Sequence, residues 1–185
     1  MRLPPIEESD LNPAQRAVFD AIQASPRGSI GLIGPFGVWV RAPAVGGRIQ
    51  SLGAAVRYET SLADNVREVA ICTVGHFYRA RFEFAAHREM AEAAGVDSAA
   101  LERLRLDQPP GFAGDEGIAH RVAGTLLREH RLPDALYAEA SAAFGEAGLI
   151  ELVSTVGYYC LVSFTLNTFE VPLSPGMVDP YPESI

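Results

Sequence analysis

The stretch from Arg67 to Gly95, REVAICTVGHFYRARFEFAAHREMAEAAG, most narrows what this chain can become. It offers a helical, mostly uncharged face interrupted by Glu68, Glu83 and His87. Ionisable groups among apolar neighbours are costly to bury unless they are paired or put to use. On a helix, Glu83 and His87 stand four residues apart and share one face within hydrogen-bond reach. That spacing often marks a solvated surface pair, but Phe82, Phe84, Ala85, Ala86 and Met90 crowd the same turns and favour a pocket.

The rest of the chain is read with the same helical period. Asn12-Pro13 supplies an N-cap and a proline at the first helical position, opening a helix that carries Ala17, Val18, Phe19 and Ile22 and ends near Ser25-Pro26. The following GSIGLIGPFGVWVRAPAVGG is too rich in glycine and proline for a long regular element. It reads as a structured loop that either covers core or walls a pocket. A second helix is expected from Ala44 to Tyr58, with Ile49, Leu52 and Val56 on one side. A capping-box pattern at Ser61-Leu62-Ala63-Asp64 opens a third helix, which carries Val66, Val69, Ala70, Thr73, Val74 and Phe77. A new helical phase begins near Arg81 and stops at Gly95, and Asp97 caps a further helix through Leu104.

Pro109-Pro110 bars helix between Leu106 and Gly114. Helix returns from Glu116 to about His130, with His120 and His130 facing solvent or capping. Pro133-Asp134 then starts Ala135 to Phe144, and a long apolar helix follows from Leu149 to Phe169. The tail VPLSPGMVDPYPESI is expected to lie extended over the surface or a neighbouring subunit. Strand signals are nearly absent, so the class is all-α, in a single domain over 1–185. Glu68 before Thr73-Val74-Gly75-His76 is echoed by Glu151 before Thr155-Val156-Gly157-Tyr158. The echo suggests a duplicated helical hairpin, with a first copy over about 13–105 and a degenerate scaffold copy over about 115–172. Thr165 and Phe169 stand there in place of Glu83 and His87.

Composition sets limits on function. A net charge of −8 without a Lys/Arg run argues against nucleic acid and anionic membrane as partners. No apolar run opens the chain, so a cytoplasmic location is expected. Residues 152–169 carry no charge, yet Ser154, Thr155, Ser163, Thr165, Asn167 and Thr168 interrupt them, which fits a core helix better than a membrane span. Cys72 and Cys160 lie in apolar surroundings and read as buried free thiols. Gly34-Pro35-Phe36-Gly37 lacks the Lys-Ser/Thr of a phosphate loop, so no nucleotide cofactor is expected. Glu83, His87 and His76 could supply three metal ligands, but no His-Glu-x-x-His arrangement or Cys cluster accompanies them, and no metal is expected.

A carboxylate beside an imidazole holds the ring in one tautomer and raises its basicity. The residues therefore point to proton-transfer chemistry, with His87 as base, Glu83 orienting it and Glu68 as acid or relay. Arg57, His76, Tyr78 and Arg81 are candidates to bind an acidic small-molecule substrate, and Phe36 and Trp39 are candidates to wall its pocket.

The string from Arg67-Glu68 through Glu83-Phe84-Ala85-Ala86-His87 to Ala94-Gly95-Val96 resembles the carboxymuconolactone decarboxylase and alkylhydroperoxidase D superfamily. Gly34-Pro35-Phe36, Arg57 before Thr60-Ser61-Leu62, and Glu151-Leu152-Val153 leading to Gly157-Tyr158-Tyr159 extend the resemblance over roughly Asn12 to Pro172. The peroxidase branch of that family has a Cys-x-x-Cys whose two places fall here on Ala80 and Glu83, so disulfide-based peroxide reduction is not expected. The decarboxylase branch has Glu-x-x-x-His, which Glu83 and His87 preserve. The resemblance implies an alkylhydroperoxidase D-like helical fold assembled as trimers or hexamers. It also implies a cofactor-independent enzyme acting on a small carboxylated lactone or keto acid, as in the breakdown of aromatic compounds.

Overall fold

The computed structural model describes residues 1–182, and the last three residues of the predicted tail lie outside the described residues. The first regular helix starts where its orphan donors find partners. Asn12 Oδ1 accepts from the Gln15 N–H, the Gln15 side chain accepts from the Asn12 N–H, and Pro13 occupies the first helical position. This reciprocal cap opens α1 (Pro13–Gln23), which buries Val18, Phe19 and Ile22 as its spacing predicts. The glycine-rich segment after it contains one short helix, α2 (Phe36–Trp39), and turns into α3 (Pro43–Tyr58). Its inward face is Gly46, Gln50, Gly53 and Val56, with Ile49 half-buried; Leu52, expected on that face, is exposed.

Helix α4 (Asp64–Phe77) is the centre of the molecule: ten consecutive residues from Val66 to Gly75 are buried. It packs against α5 (Arg81–Ala93), α6 (Ser98–Arg105), α7 (Gly114–Glu129) and α8 (Asp134–Thr168). A helix surrounded in this way cannot be amphipathic, which explains the breadth of its apolar face. The Ser61 capping box does not form. Ala63 occupies the cap position, and the Ser61 N–H and hydroxyl instead donate to the Glu151 carboxylate at 2.8 and 2.7 Å, tying the start of α4 to α8. Phe77, expected inside, is exposed at the helix end.

The predicted stops hold. After α5 the Gly95 N–H donates to Glu92 O and the Val96 N–H to Ala91 O, closing a Schellman motif. The Asp97 carboxylate then accepts from the Ala99 N–H to open α6. His130 caps α7 in a left-handed conformation. The two helices expected from Ala135 and Leu149 are one assigned helix interrupted at Gly145, whose φ of 69° and ψ of −179° only glycine adopts readily. By length and composition α8 could cross a membrane, but half of its most apolar window is buried inside the protein, where it contacts α3, α4, α5 and α7.

The fold is all-helical: eight α-helices and no strand among the described residues. The sequence echo falls on α4 and the second half of α8. Where α4 ends in a turn at Tyr78–Ala80 before α5 begins, α8 continues without a turn to Thr168. Beyond α8 the tail runs back over the bundle, and Tyr181 is buried against Phe84 and His76.

The corner between α2 and α3 depends on close approach. A Cβ at Gly46 would stand 2.0 Å from Trp39 O, a backbone atom that cannot rotate away. Gly46→Ala is expected to destabilise the protein by about 1–3 kcal/mol or more, seen as a lower denaturant midpoint with an unchanged slope.

Candidate functional site

Glu68 comes from the middle of α4, while Glu83 and His87 come from the first two turns of α5; the 18 or so residues between them reverse at Tyr78–Ala80 and bring the three together. All are buried: Glu68 is 2% exposed, Glu83 3% and His87 5%. His87 Nδ1 lies 2.5 Å from Glu68 Oε2, and Nε2 lies 2.9 Å from Glu83 Oε1. The second contact is an ion pair lying off the ring N–H direction, so Glu83 Oε1 remains a buried carboxylate oxygen with no directed hydrogen bond.

The electrostatics follow from this sandwich. Burial alone would lower the His87 pKa, but the Glu68 and Glu83 charges and hydrogen bonding outweigh it and raise it to about 9. His87 is therefore an imidazolium at neutral pH. Burial opposes ionisation of Glu68 too, yet His87, with Arg57 and Arg67 further off, holds it below the usual carboxylate range. A ring protonated in this way, with a carboxylate beside each nitrogen, has no free lone pair with which to start as a base, contrary to the role expected for His87 from the sequence.

Glu83 and His87 line a cavity of about 240 Å³ between the α1–α2 loop, the end of α3, α5 and α8. One water needs roughly 15 Å³ by such a measure, so a small organic molecule fits. Of the six residues expected to bind substrate, Phe36, Trp39 and Arg57 line this cavity. His76, Tyr78 and Arg81 do not. The His76 ring contacts Asp107 and Tyr181, Arg81 pairs with Asp179, and Tyr78 packs edge-on against Phe164. These three sit in the last turn of α4 and the start of α5, on the sides that meet the tail and α8. His120, expected at the surface, packs against Phe112 and lies 3.0 Å from Thr73 Oγ1, and burial brings its pKa down to about 4.

Sequence reasoning overlooked Arg27, Tyr158, Tyr159 and Met177, which also line the cavity. The tyrosines lie in the segment read as scaffold. The available signal was their place directly after the echoed Thr-Val-Gly, which puts them on the buried face of α8. Tyr159 packs edge-on against His87 with ring centroids 5.0 Å apart, and Trp39 Nε1–H donates to Thr165 Oγ1. The glycine-rich loop is a pocket wall: Ile30, Ile33 and Pro35 come from it.

Arg57 keeps its charge. Burial opposes it, but Tyr159, Tyr58 and the Glu68 and Glu83 carboxylates outweigh that and raise its pKa. Arg27, Arg57 and His87 set three positive charges against the Glu68 and Glu83 carboxylates. Cys72 is fully buried, and burial first, then the Glu68 and Glu83 charges, push its thiol well above the ordinary value. Among the described residues no three His, Cys, Asp or Glu side chains are arranged to hold a metal ion.

Comparison with known proteins supplies no relative: no protein-family model matches the chain, and no curated protein matches it. The class of protein defined by fold and site is an all-helical protein with a pocket beside a buried carboxylate–imidazolium–carboxylate cluster.

The His87 shift fixes a pH dependence. Its folded pKa of about 9 exceeds the ordinary 6.5, so its contribution is complete below 6.5 and is lost as pH rises to about 9. Thermal unfolding should show wild-type stability falling across that window by on the order of 3 kcal/mol, a fall that His87→Gln lacks.

Proposed function

We propose that the protein is a cofactor-independent acid/base enzyme of the carboxymuconolactone decarboxylase type, acting on a small carboxylated lactone or keto acid. The observation that carries this reading is Glu83, a cavity-lining residue whose carboxylate stands 2.9 Å from the His87 imidazolium with no directed hydrogen bond to Oε1. Glu83 takes a proton from the substrate carbon next to a carbonyl. His87 positions Glu83 and, carrying a proton on each ring nitrogen, returns one when charge has to be neutralised. Glu68 fixes the ring through Nδ1 and faces a second opening with Asp64, Arg67 and Thr60, a path by which the cluster exchanges protons with solvent. Arg57 and Arg27 take the substrate carboxylate, and Phe36, Trp39 and Tyr158 enclose its apolar body.

Thiol peroxidase chemistry has less support. It needs an accessible thiolate, and Cys72 is buried with a raised pKa while Cys160 is half-buried with its thiol pushed up as well. We also propose self-association. Ile150, Val153, Leu161 and Phe164 lie exposed along α8, an apolar stripe consistent with a contact between subunits.

The test is exchange of the carbon-bound proton next to the carbonyl, followed by NMR in deuterium oxide over a panel of small carboxylated lactones and keto acids. Wild type is expected to catalyse exchange of at least one, and Glu83→Gln to slow it by roughly a hundredfold or more while keeping its helical spectrum. No exchange across the panel, or an undiminished rate in Glu83→Gln, contradicts the reading.

A further inference from the structure

The cavity wall includes residues with polar groups whose hydrogen bonding the protein does not complete. Glu83 Oε1 and Arg57 Nε are buried without a hydrogen-bond partner. The Arg57 side chain also reaches Met90 Sδ from Nη2 at 3.0 Å, where a thioether is a weak acceptor, and lies over the Tyr58 ring. Tyr159, 3% exposed, adds a phenol hydroxyl. A buried polar atom left without a hydrogen bond costs about 1–3 kcal/mol, offset at Glu83 by its ion pair with His87 at 2.9 Å. All three belong to residues that line one cavity.

The set is specific in chemistry. It contains two kinds of donor, a guanidinium N–H and a phenol O–H, and one anionic acceptor. A molecule that completes it presents an oxygen able to carry negative charge next to an acidic C–H. Neither an alkyl chain nor a simple cation does this. We propose that Arg57 and Tyr159 form an oxyanion subsite beside Glu83, which holds the carbonyl oxygen of an enolisable substrate while Glu83 takes the proton from the adjacent carbon. This rests on the proton-transfer reading of the cavity and adds the groups that make the transfer feasible.

The step balances without a further reactant. The C–H bond breaks and its proton goes to Glu83. Its electron pair becomes the carbon–carbon double bond, and the carbonyl π pair moves onto oxygen, where the Tyr159 O–H and an Arg57 N–H donate to it. Return of the proton from Glu83 restores the starting count. Where the substrate bears a carboxylate on the carbon next to the carbonyl, departure of carbon dioxide leaves the same enolate for the same donors. Tyr159 acts as donor and keeps its own proton, because burial, with the Glu83 and Glu68 charges, pushes its pKa well up against the opposing pull of Arg57. Removing one donor from such a site ordinarily costs about 100- to 1,000-fold in turnover.

Oxalate, with two adjacent carboxylates, mimics a planar enolate and allows a test by binding alone. Calorimetric titration of the full chain with oxalate is expected to show binding that Tyr159→Phe weakens about tenfold or more. Arg57→Gln should weaken it comparably, which keeps the test open if either variant folds poorly. Glu83→Gln is expected to bind oxalate at least as tightly as wild type, since it removes a carboxylate facing the anion. Equal oxalate affinity in wild type and a folded Tyr159→Phe, or no binding by wild type, overturns the subsite. An unchanged proton-exchange rate in Glu83→Gln would instead overturn the base assignment, and the oxalate comparison would still judge Arg57 and Tyr159 separately.

Discussion

Placing His87 between Glu68 and Glu83, away from water, is the interaction on which the rest of the site depends. One buried carboxylate beside one imidazole could be met by neutralising both. Two carboxylates cannot be left charged without a cation between them, and the imidazolium is that cation. Removing one member of a buried ionic group commonly costs about 3–5 kcal/mol, because an uncompensated charge is left behind. The cluster thus locks α4 to α5 and, by the same contacts, sets the orientation of the Glu83 carboxylate.

The fold serves this arrangement by layering. Helix α4 gives up amphipathicity to be buried on all sides, α5 folds back on it through the short turn at Tyr78–Ala80, and α8 passes alongside to supply Tyr158 and Tyr159. The glycine-rich loop and Met177 from the tail close the remaining sides. A site built this way draws its groups from long helices, and flexible segments contribute mainly apolar wall. Rigid placement of the charged groups is what preorganised acid/base chemistry requires.

Much of this was legible from local rules. The Asn12-Pro13 start, the Gly95 stop and the Asp97 cap are local hydrogen-bond problems with local solutions, and they hold. The convergence of Glu68, Glu83 and His87 was legible because three ionisable groups in an apolar stretch demand mutual pairing. What was hidden depends on contacts distant in sequence. Ser61 is drawn away from the cap because Glu151, ninety positions away, accepts from both its N–H and its hydroxyl. His76 and Arg81 face away because the tail brings Tyr181 and Asp179 to them. Tyr158 and Tyr159 carry no charge, and no pattern distinguishes an apolar residue that lines a pocket from one that fills a core. The protonation of His87 also escaped, since it depends on how burial weighs against both carboxylates, which only the folded geometry shows.

The account stands or falls on the charge of His87 in the unliganded protein. Nitrogen-15 NMR of the histidine rings, with His87 assigned from the His87→Gln spectrum, reads that charge directly. The expected result is an imidazolium signal at pH 7 that titrates near 9 and moves to lower pH in Glu68→Gln and in Glu83→Gln. A His87 ring that is neutral at pH 7 in wild type, or whose titration neither substitution shifts, would contradict it.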